Sequence, residues 1–322
     1  MPEQGPIFLA GTDRSGIGLL GEMLSAHPRI FISRRTRFWQ LYYERFGDLG
    51  RPGNLVTAID EMMRYSRITD LEPDRDRLLT EFHHEIRPSY GALFALVQEH
   101  HLERIGKQRW GDKTLNAERY ADVIFREYPT ARMIHVIRDP RDRYASQARH
   151  RNASRGKVGA GTALWRSSVR LAKRNLTRYP GRYHVVRYED LVARPSTVLE
   201  ELCRFLEELF DRQMLNVSSG PPEDGLTQRE SDTVGLVTTS IGRFRDDLSR
   251  RETAFIQLLQ GRTMRTLRYE PSAVHMSVAE RGRFIVGDVP VNVLRMVAWW
   301  INITLRERSG GSPSQRRIVA LE

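Results

Sequence analysis

The residues of this chain that are best suited to chemistry follow two short apolar runs. The first run, PIFLA, leads into GTDRSGIGLL at positions 11–20, where Arg14, Ser15 and Gly16 precede an amphipathic segment. A turn that opens a helix aims free backbone N–H groups at one point, and the helix dipole adds a partial positive charge. Arg14 adds a full charge and a planar set of donors. The stretch favours an anion site, with a purely structural turn as the alternative.

The second run, RMIHVI at 132–137, leads into RDPRDRYAS. Arg138 ends the run, and Ser146 lies about two turns into the helix that Asp139, as N-cap, and Pro140 are expected to begin. An arginine and a serine hydroxyl can together hold a phosphate without a metal ion. The alternative is a local ion pair between Arg138 and Asp139, with Ser146 as a small packing residue.

The nucleoside-triphosphate loop GxxxxGK[ST] is absent from the first stretch. Arg14-Ser15-Gly16 stands where the lysine would be, and the hydroxyl that binds Mg²⁺ is missing from its usual place. A kinase of the P-loop type therefore stays a third hypothesis, since it needs a lysine and a magnesium ligand that the sequence does not offer.

The elements that must position these residues alternate along the chain. Short apolar runs predict strands at about 6–11, 29–34, 132–137 and 183–187. Helical periodicity predicts helices over 15–26, 54–65, 74–86, 89–104, 115–127, 139–151, 161–178 and 196–210. Strands that alternate with helices predict an α/β fold: a P-loop-like parallel β-sheet flanked by helices, with a C-terminal helical extension. Ligands of such sheets bind at the carboxyl ends of the strands, where Arg14 and Arg138 lie.

Taken together, these segments resemble the sulfotransferases that use 3′-phosphoadenosine 5′-phosphosulfate (PAPS), in their broad bacterial and Golgi-type group. The family's first loop reads like PRSGTTLL and ends in HP; here it reads DRSGIGLLGEMLSAHP. The family's VIRDPRD…S motif reads VIRDPRDRYAS with the same interval. Three more segments follow the family pattern, RWGDKT (109–114), VVRYEDLVARPSTVLEELCRFL (185–206) and IGRFRDDLS (241–249).

The resemblance implies a role for each matching residue. It implies that Arg14, Ser15 and Gly16, with the amides of Ile17 and Gly18, hold the 5′-phosphosulfate. It implies that Arg138 and Ser146 hold the 3′-phosphate, that Tyr188 lies near the adenine, and that Gly242 and Arg243 close over the 3′-phosphate. The cofactor would then be PAPS, the product 3′,5′-ADP, and no metal would be required.

Two positions depart from the family pattern. The paired threonines after Arg-Ser-Gly are Ile17 and Gly18 here, which removes two hydroxyl donors at about 0.5–1.5 kcal/mol each. Arg34 and Arg35 stand where a carboxylate base is often found, and they form either a site for an acidic acceptor or a solvated face.

Transfer requires a group that takes the acceptor's proton. The remaining candidates are Asp112, which alternatively caps or pairs with Lys113, and His84 or its neighbour His83. Lys113 is a candidate for stabilising charge on the sulfuryl oxygens, and Arg14 for stabilising the leaving phosphate.

The sequence therefore predicts a sulfotransferase that moves a sulfuryl group from PAPS to a hydroxyl or amine of a carbohydrate, lipid or secondary metabolite. The alternative is a catalytically altered member that binds a nucleotide or an anionic ligand without transfer. We expect a bacterial, cytoplasmic enzyme, because the single cysteine, Cys203, permits no internal disulfide and no secretory signal is recognisable.

Composition limits the partners. A net charge of +11 favours anionic ligands, so we expect a small-molecule acceptor, possibly acidic. Nucleic acid is not expected, because zinc-finger, RNA-binding and basic-zipper patterns are absent. We predict a sulfotransferase domain over 1–268 and a helical extension with a basic tail over 269–322. The apolar segment 289–305 is short for a membrane span and is a candidate for packing, dimer contact or peripheral membrane contact; the oligomeric state is open.

Overall fold

The structure, a computed structural model, describes residues 4–84, 88–149, 157–216 and 240–308. The chain divides into two compact units. The first comprises Met1–Gly11, Gly16–Val136 and Arg174–Val237, and the second comprises Thr12–Ser15, Ile137–Lys173 and Thr238–Glu322. The predicted boundary after residue 268 stays a prediction. The basic tail and nearly all of the predicted loop over 218–240 lie outside the described residues.

Five parallel strands form one sheet in the order β2-β3-β1-β4-β5. The strands are β1 (Ile7–Ala10), β2 (Ile30–Arg34), β3 (Arg109–Lys113), β4 (Arg132–Ile137) and β5 (Tyr183–Arg187). In the register of the sheet, Leu9 of the central strand lies opposite Lys113 on one side and Ile134 on the other. The strand order switches at β1, and ligands of open α/β sheets bind at such a point. The predicted α/β fold is confirmed.

Helices surround these strands in chain order. The first six are α1 (Ile17–Ser25), α2 (Phe38–Leu41), α3 (Pro52–Met62), α4 (Ser66–Thr69), α5 (Arg75–His83) and α6 (Tyr90–Ile105). The next five are α7 (Ala121–Glu127), α8 (Pro140–Arg149), α9 (Val158–Arg178), α10 (Tyr188–Ala193) and α11 (Pro195–Leu206). The last four are α12 (Phe244–Asp247), α13 (Arg250–Thr266), α14 (Val278–Arg283) and α15 (Val289–Arg308). Short 3₁₀ helices form at Ala117–Tyr120 and Arg212–Leu215, and a π-helical turn at Phe284–Asp288 joins α14 to α15.

The core of the first unit has two parts because successive side chains of a strand point to opposite faces. Phe8 and Trp110 belong to an aromatic cluster with residues of α2, α3 and α6. Leu9 and Ile32 belong to an aliphatic cluster with residues of α1 and α11. Burial on both faces explains why β1 is an uninterrupted apolar run.

Strand β3 was not predicted, since its sequence, RWGDK, is mostly polar. All five of its residues are nevertheless buried. Arg109 donates to the carbonyls of Gly5 (2.8 Å) and Leu206 (2.6 Å), and it pairs with buried Glu208 at 3.1 Å. Buried polar groups are tolerated where partners satisfy them, so tertiary hydrogen bonds rather than apolar periodicity make this strand.

The C-terminal helical extension is confirmed and is longer than the sequence indicated. Helices α14 and α15 and the π-turn between them form one helical run. By length and composition alone, the stretch Val278–Leu305 meets the requirements for crossing a membrane, and only 17% of its apolar window is buried. The sequence argument that this region is too short for a span considered 289–305 alone.

Candidate active site

The second unit brings together three of the residues that the sequence singled out. Arg14, in a left-handed conformation with φ of 62°, donates from Nε to Oγ of Ser146 at 3.0 Å. Arg138 donates from Nη1 to the backbone oxygen of Arg14 at 3.2 Å and from Nη2 to that of Ser240 at 2.7 Å. Two guanidinium groups and one hydroxyl thus meet at the ends of β1 and β4. We call Arg14, Arg138 and Ser146 the arginine–serine cluster.

This cluster changes one detail of the expected arrangement. The resemblance assigns Arg14 and Ser146 to opposite phosphate groups of PAPS, yet their side chains are hydrogen-bonded to each other. The guanidinium of Arg14 therefore lies beside the group expected to hold the 3′-phosphate. The individual roles stay predictions.

The start of α8 positions the cluster. Asp139 accepts from the backbone N–H of Arg141 at 2.8 Å, as the predicted N-cap should. It pairs with the Arg141 guanidinium at 2.6 Å. The carbonyl of Arg138 accepts from Nε1 of buried Trp165 at 2.9 Å. These contacts hold the strand end and the helix start in one arrangement.

Two buried residues that sequence reasoning missed support the same region. The Arg143 side chain is fully buried and donates to the carbonyl of Asp13 (3.2 Å) and to the Gln147 side chain (2.8 Å). Burial lowers the pKa of Arg143 to about 10. Hydrogen bonds from Arg138 and Arg143 thus fix two consecutive carbonyls of the loop after β1.

The second missed residue, Asp142, anchors the Gly-Arg loop. Its carboxylate accepts from the backbone N–H of Gly242 at 2.7 Å and of Phe244 at 2.9 Å. Burial raises the pKa of Asp142, while these two hydrogen bonds oppose the rise. Gly242 has φ of 79°, a conformation that favours glycine. Asp142 therefore orients the segment that carries Gly242 and Arg243. Its place in the first turn of α8 would suggest only a helix-dipole contact from sequence.

One buried donor in the loop bears on whether an anion fits. Ser15 is buried, and its Oγ has no hydrogen-bond partner within the described part of the chain. Leaving such a group unsatisfied costs about 1–3 kcal/mol. A ligand with acceptor oxygens would satisfy this hydroxyl, so the residues present fit the phosphosulfate group of PAPS.

In the first unit, the start of α1 continues the same loop. Gly16 is the N-cap with φ of 99°, and a Cβ there would overlap the ring of Tyr188. Only glycine allows this close approach. The first turn of α1 carries no acidic side chain, so the unpaired N–H groups of Ile17 and Gly18 remain suited to an anion. Tyr188 packs against the loop, as a residue of the cofactor site would; its contact with adenine stays a prediction.

Asp112 and Lys113 lie at the end of β3 in the first unit, and both are buried. Oδ1 of Asp112 accepts from Ser33 Oγ at 3.1 Å and from Thr36 Oγ1 at 2.8 Å. Burial raises the pKa of Asp112 to about 6, although the hydroxyl donors lower it. The methylene stem of Lys113 passes beside Gly21 of α1. The carboxylate has a pKa suited to a base but no exposure to solvent.

The other candidates lie on the surface of the first unit. His84 caps the C-terminus of α5 and is exposed, as is His83. Arg34 is exposed and lies 3.8 Å from Glu22, and Arg35 adopts φ of 51°. His84 as base and the two arginines as acceptor site stay predictions.

The described residues contain no group of three or more His, Cys, Asp or Glu side chains that could hold a metal ion. In the second unit they line a cavity of about 420 Å³, formed by Ala145, Ala148, Arg149 and residues 247–249 and 252. The arginine–serine cluster is not among its lining residues.

Comparison with known proteins places this arrangement in a family. Residues 6–212 match the group described as the Sulfotransferase family, and the chain belongs to that family. A protein of Aquifex aeolicus (strain VF5), described as uncharacterized, is 23% identical over 227 residues, or 66% of this chain. The chain spans only 27% of the length of that relative.

Two solved structures share the fold. The sulfotransferase domain from the Synechococcus PCC 7002 olefin synthase is 18% identical with a TM-score of 0.54, covering 94% of this chain and 96% of that domain. The sulfotransferase domain from the curacin biosynthetic pathway is 19% identical with a TM-score of 0.50, covering 84% and 100%. The family match supports sulfuryl transfer in general terms.

Proposed function

We propose that this chain is a PAPS-dependent sulfotransferase that transfers a sulfuryl group to a hydroxyl or amine of a small-molecule acceptor and releases 3′,5′-ADP. The acceptor classes we propose are a carbohydrate, a lipid or a secondary metabolite, and the location is the cytoplasm. The observation that carries the proposal is the arginine–serine cluster, which gathers two guanidinium groups and a hydroxyl in the second unit. A second phosphate on the ribose is the feature that such a cluster would distinguish from ordinary nucleotides.

Bound PAPS would supply an activated sulfuryl group. Arg138 and Ser146 would bind its 3′-phosphate, with Asp142 holding the Gly242–Arg243 segment in place. Ser15, the amides after Gly16 and Arg14 would bind the 5′ end, where Arg14 would stabilise charge on the leaving phosphate. Lys113 would stabilise the sulfuryl oxygens. Donors aimed at developing charge are typically worth about 3–4 kcal/mol of barrier.

The acceptor must lose its proton to a base, and the candidates are Asp112 and His84. The pKa of Asp112, about 6, suits proton transfer near neutral pH. Because Asp112 is fully buried, a catalytic role would require the acceptor to reach it from within the fold.

The proposal is tested by calorimetric titration of the full chain with 3′,5′-ADP and with 5′-ADP. We expect 3′,5′-ADP to bind at least about tenfold more tightly, since one charge-assisted contact is worth about 1.5–3 kcal/mol. Arg138→Ala should remove that preference. Arg212→Ala, which deletes an exposed arginine of the first unit, is the control with the same charge change. Equal affinity of the two nucleotides for the wild type would contradict the proposal.

The second candidate is a member that binds the nucleotide without transfer. Two observations favour it: Ile17 and Gly18 lack the hydroxyls usual in the family, and Asp112 is enclosed. Incubation with labelled PAPS and a panel of acceptors separates the two. Acceptor-dependent release of 3′,5′-ADP excludes the second candidate, whereas binding with no release from any acceptor favours it.

A further inference from the structure

The C-terminal helical run has its polar side turned inward. Phe284, Asn292 and Met296 are buried within the second unit, and Asp288 on the same side forms an ion pair with Arg251 at 2.9 Å. Residues spaced by three and four share one side of a helix. The inner side of the run therefore carries a carboxylate and an amide.

The inner contacts fix the run to the rest of the second unit. The Asn292 side chain accepts from the backbone N–H of Gly159 at 3.1 Å and donates to the carbonyl of Asp288 at 2.9 Å. Gly159 approaches so closely that a Cβ there would overlap the Asn292 backbone. The guanidinium of Arg170 lies 4.7 Å from the ring centroid of Trp300. These contacts hold the middle of the helix to protein along one side.

The outer side is apolar, which is the reverse of an ordinary surface helix. Val286 is 79% exposed and Leu294 is 67% exposed. The other large members of this outer face are Val293, Val297, Ile301 and Leu305, and all are exposed. Between residues 284 and 305 the acidic or basic side chains are Asp288 and Arg295, both on the inner half of the helix. Soluble monomers rarely expose a continuous apolar surface of this length, and such a surface usually marks an interaction site.

We propose that this outer face docks onto the surface of a lipid bilayer that contains anionic lipids. The helix would lie in the plane of the interface, because the Asn292 and Asp288 contacts keep its inner side on protein. Exposed Arg281 and Arg283 flank the start of the face, and the chain as a whole carries a net charge of +11. Basic residues beside an apolar helical face favour anionic headgroups.

The width of the face argues for lipid over a second copy of the chain. A coiled-coil partner needs a narrow apolar seam flanked by charged residues that form interhelical salt bridges. Here the positions beside the seam formed by Leu294, Val297 and Ile301 are themselves apolar, including Val293 and Trp300. Apolar flanks widen the face beyond such a seam, as insertion into the headgroup region requires.

The test is vesicle flotation of the full chain with phosphatidylcholine alone and with phosphatidylcholine plus phosphatidylglycerol. We expect flotation with the anionic vesicles, weakened by high salt, and at least a tenfold loss in the double variant Leu294→Glu/Ile301→Glu. The matched control is Leu209→Glu/Leu258→Glu, which changes two leucines that are 87% and 61% exposed elsewhere. Thermal unfolding of each variant shows that it is folded, and the readout is independent of sulfotransferase activity.

Failure of the wild type to float would overturn the proposal, as would equal flotation of the Leu294→Glu/Ile301→Glu variant. Light scattering identifies the rival occupant: a dimer that dissociates in this variant, with no flotation of the wild type, assigns the face to a second copy. Quenching of tryptophan fluorescence by brominated lipid in the wild type, lost in Trp300→Leu, would locate the contact on α15.

Discussion

Each unit of the molecule buries a group of polar side chains near a strand end, and the two groups are satisfied in opposite ways. In the second unit, arginines donate to a serine hydroxyl and to backbone carbonyls. These are neutral acceptors, so the hydrogen bonds orient the guanidinium groups without neutralising them. In the first unit, hydroxyls of Ser33 and Thr36 donate to the carboxylate of Asp112, and Gln98 donates in turn to Ser33 at 2.9 Å.

The difference indicates which group serves a ligand and which serves the fold. A cluster of oriented cations attracts an anion, and a buried hydroxyl without a partner, Ser15, lies in the same loop. The hydroxyl network around Asp112 has its donors within the fold, yet burial still raises the pKa of that carboxyl to about 6. We therefore expect ligand affinity to depend on the arginine–serine cluster, and the pH dependence of stability to depend on Asp112.

The largest expected effect is on stability, in Asp112→Asn. Because the pKa of Asp112 in the folded chain, about 6, exceeds its ordinary value of 3.8, the folded state takes up this proton more readily than the unfolded state. The wild type therefore loses free energy of unfolding as the pH rises from about 4 to 6, by about 3 kcal/mol at most. The asparagine variant should lose none of it, as measured by denaturant unfolding at pH 4 and pH 8.

Asp246→Asn, at an exposed position, is the control and should leave the pH profile unchanged. The same Asp112→Asn variant tests catalysis. If Asp112 is the base, turnover falls by about a hundredfold or more in a chain that still folds and binds 3′,5′-ADP. That result would break the comparison, since the buried carboxylate would then serve the ligand as well.

The next effect is on affinity, in Arg14→Ala. We expect 3′,5′-ADP to bind about 10–100-fold more weakly, since one charge-assisted hydrogen-bonding group worth about 1.5–3 kcal/mol is removed. Arg14→Lys should recover the charge but not the planar donor set that meets Ser146. Titration calorimetry measures all three chains, and unchanged affinity in Arg14→Ala would remove this residue from the cofactor site.

Much of this arrangement was predictable from sequence because it rests on local patterns. Apolar runs marked β1 and β4, and the residues that follow them had to meet because the carboxyl ends of parallel strands share one edge. The N-cap role of Asp139 followed from its position before Pro140.

What sequence reasoning missed depends on partners that are distant in the chain. Strand β3 is polar and is stabilised by contacts such as that of Arg109 with Leu206. Asp142 gains its role only from the N–H of Gly242, a hundred residues later. No periodicity signals such pairs; only a carboxylate and an arginine left unexplained inside a motif, as Asp142 and Arg143 were, could have drawn attention to them.

A smaller effect is expected in Asp142→Asn. The amide can accept one of the two backbone N–H groups, but its NH₂ group faces the other, so the Gly242–Arg243 segment loses an anchor. Leaving that donor unpaired costs about 1–3 kcal/mol, part of which relaxation of the loop will absorb. We expect KM for the nucleotide to rise about tenfold with kcat nearly unchanged, whereas Asp246→Asn should alter neither. A fall in kcat alone would show that Asp142 acts on the reaction instead of on the loop.

The smallest expected effect sharpens the comparison from the side of the ligand, by restoring a donor to the loop. Ile17 packs into the aliphatic core, so a threonine there would lose apolar contacts. Gly18 is half-buried, and its φ is not positive, so it accepts a side chain more readily. Gly18→Ala should stabilise α1 by up to about 1 kcal/mol through helix propensity alone. Gly18→Thr adds a hydroxyl, worth about 0.5–1.5 kcal/mol of binding, so its affinity for 3′,5′-ADP should exceed that of Gly18→Ala by about two- to tenfold. Equal affinities would mean that the amides of this turn suffice and that the missing hydroxyls do not limit binding.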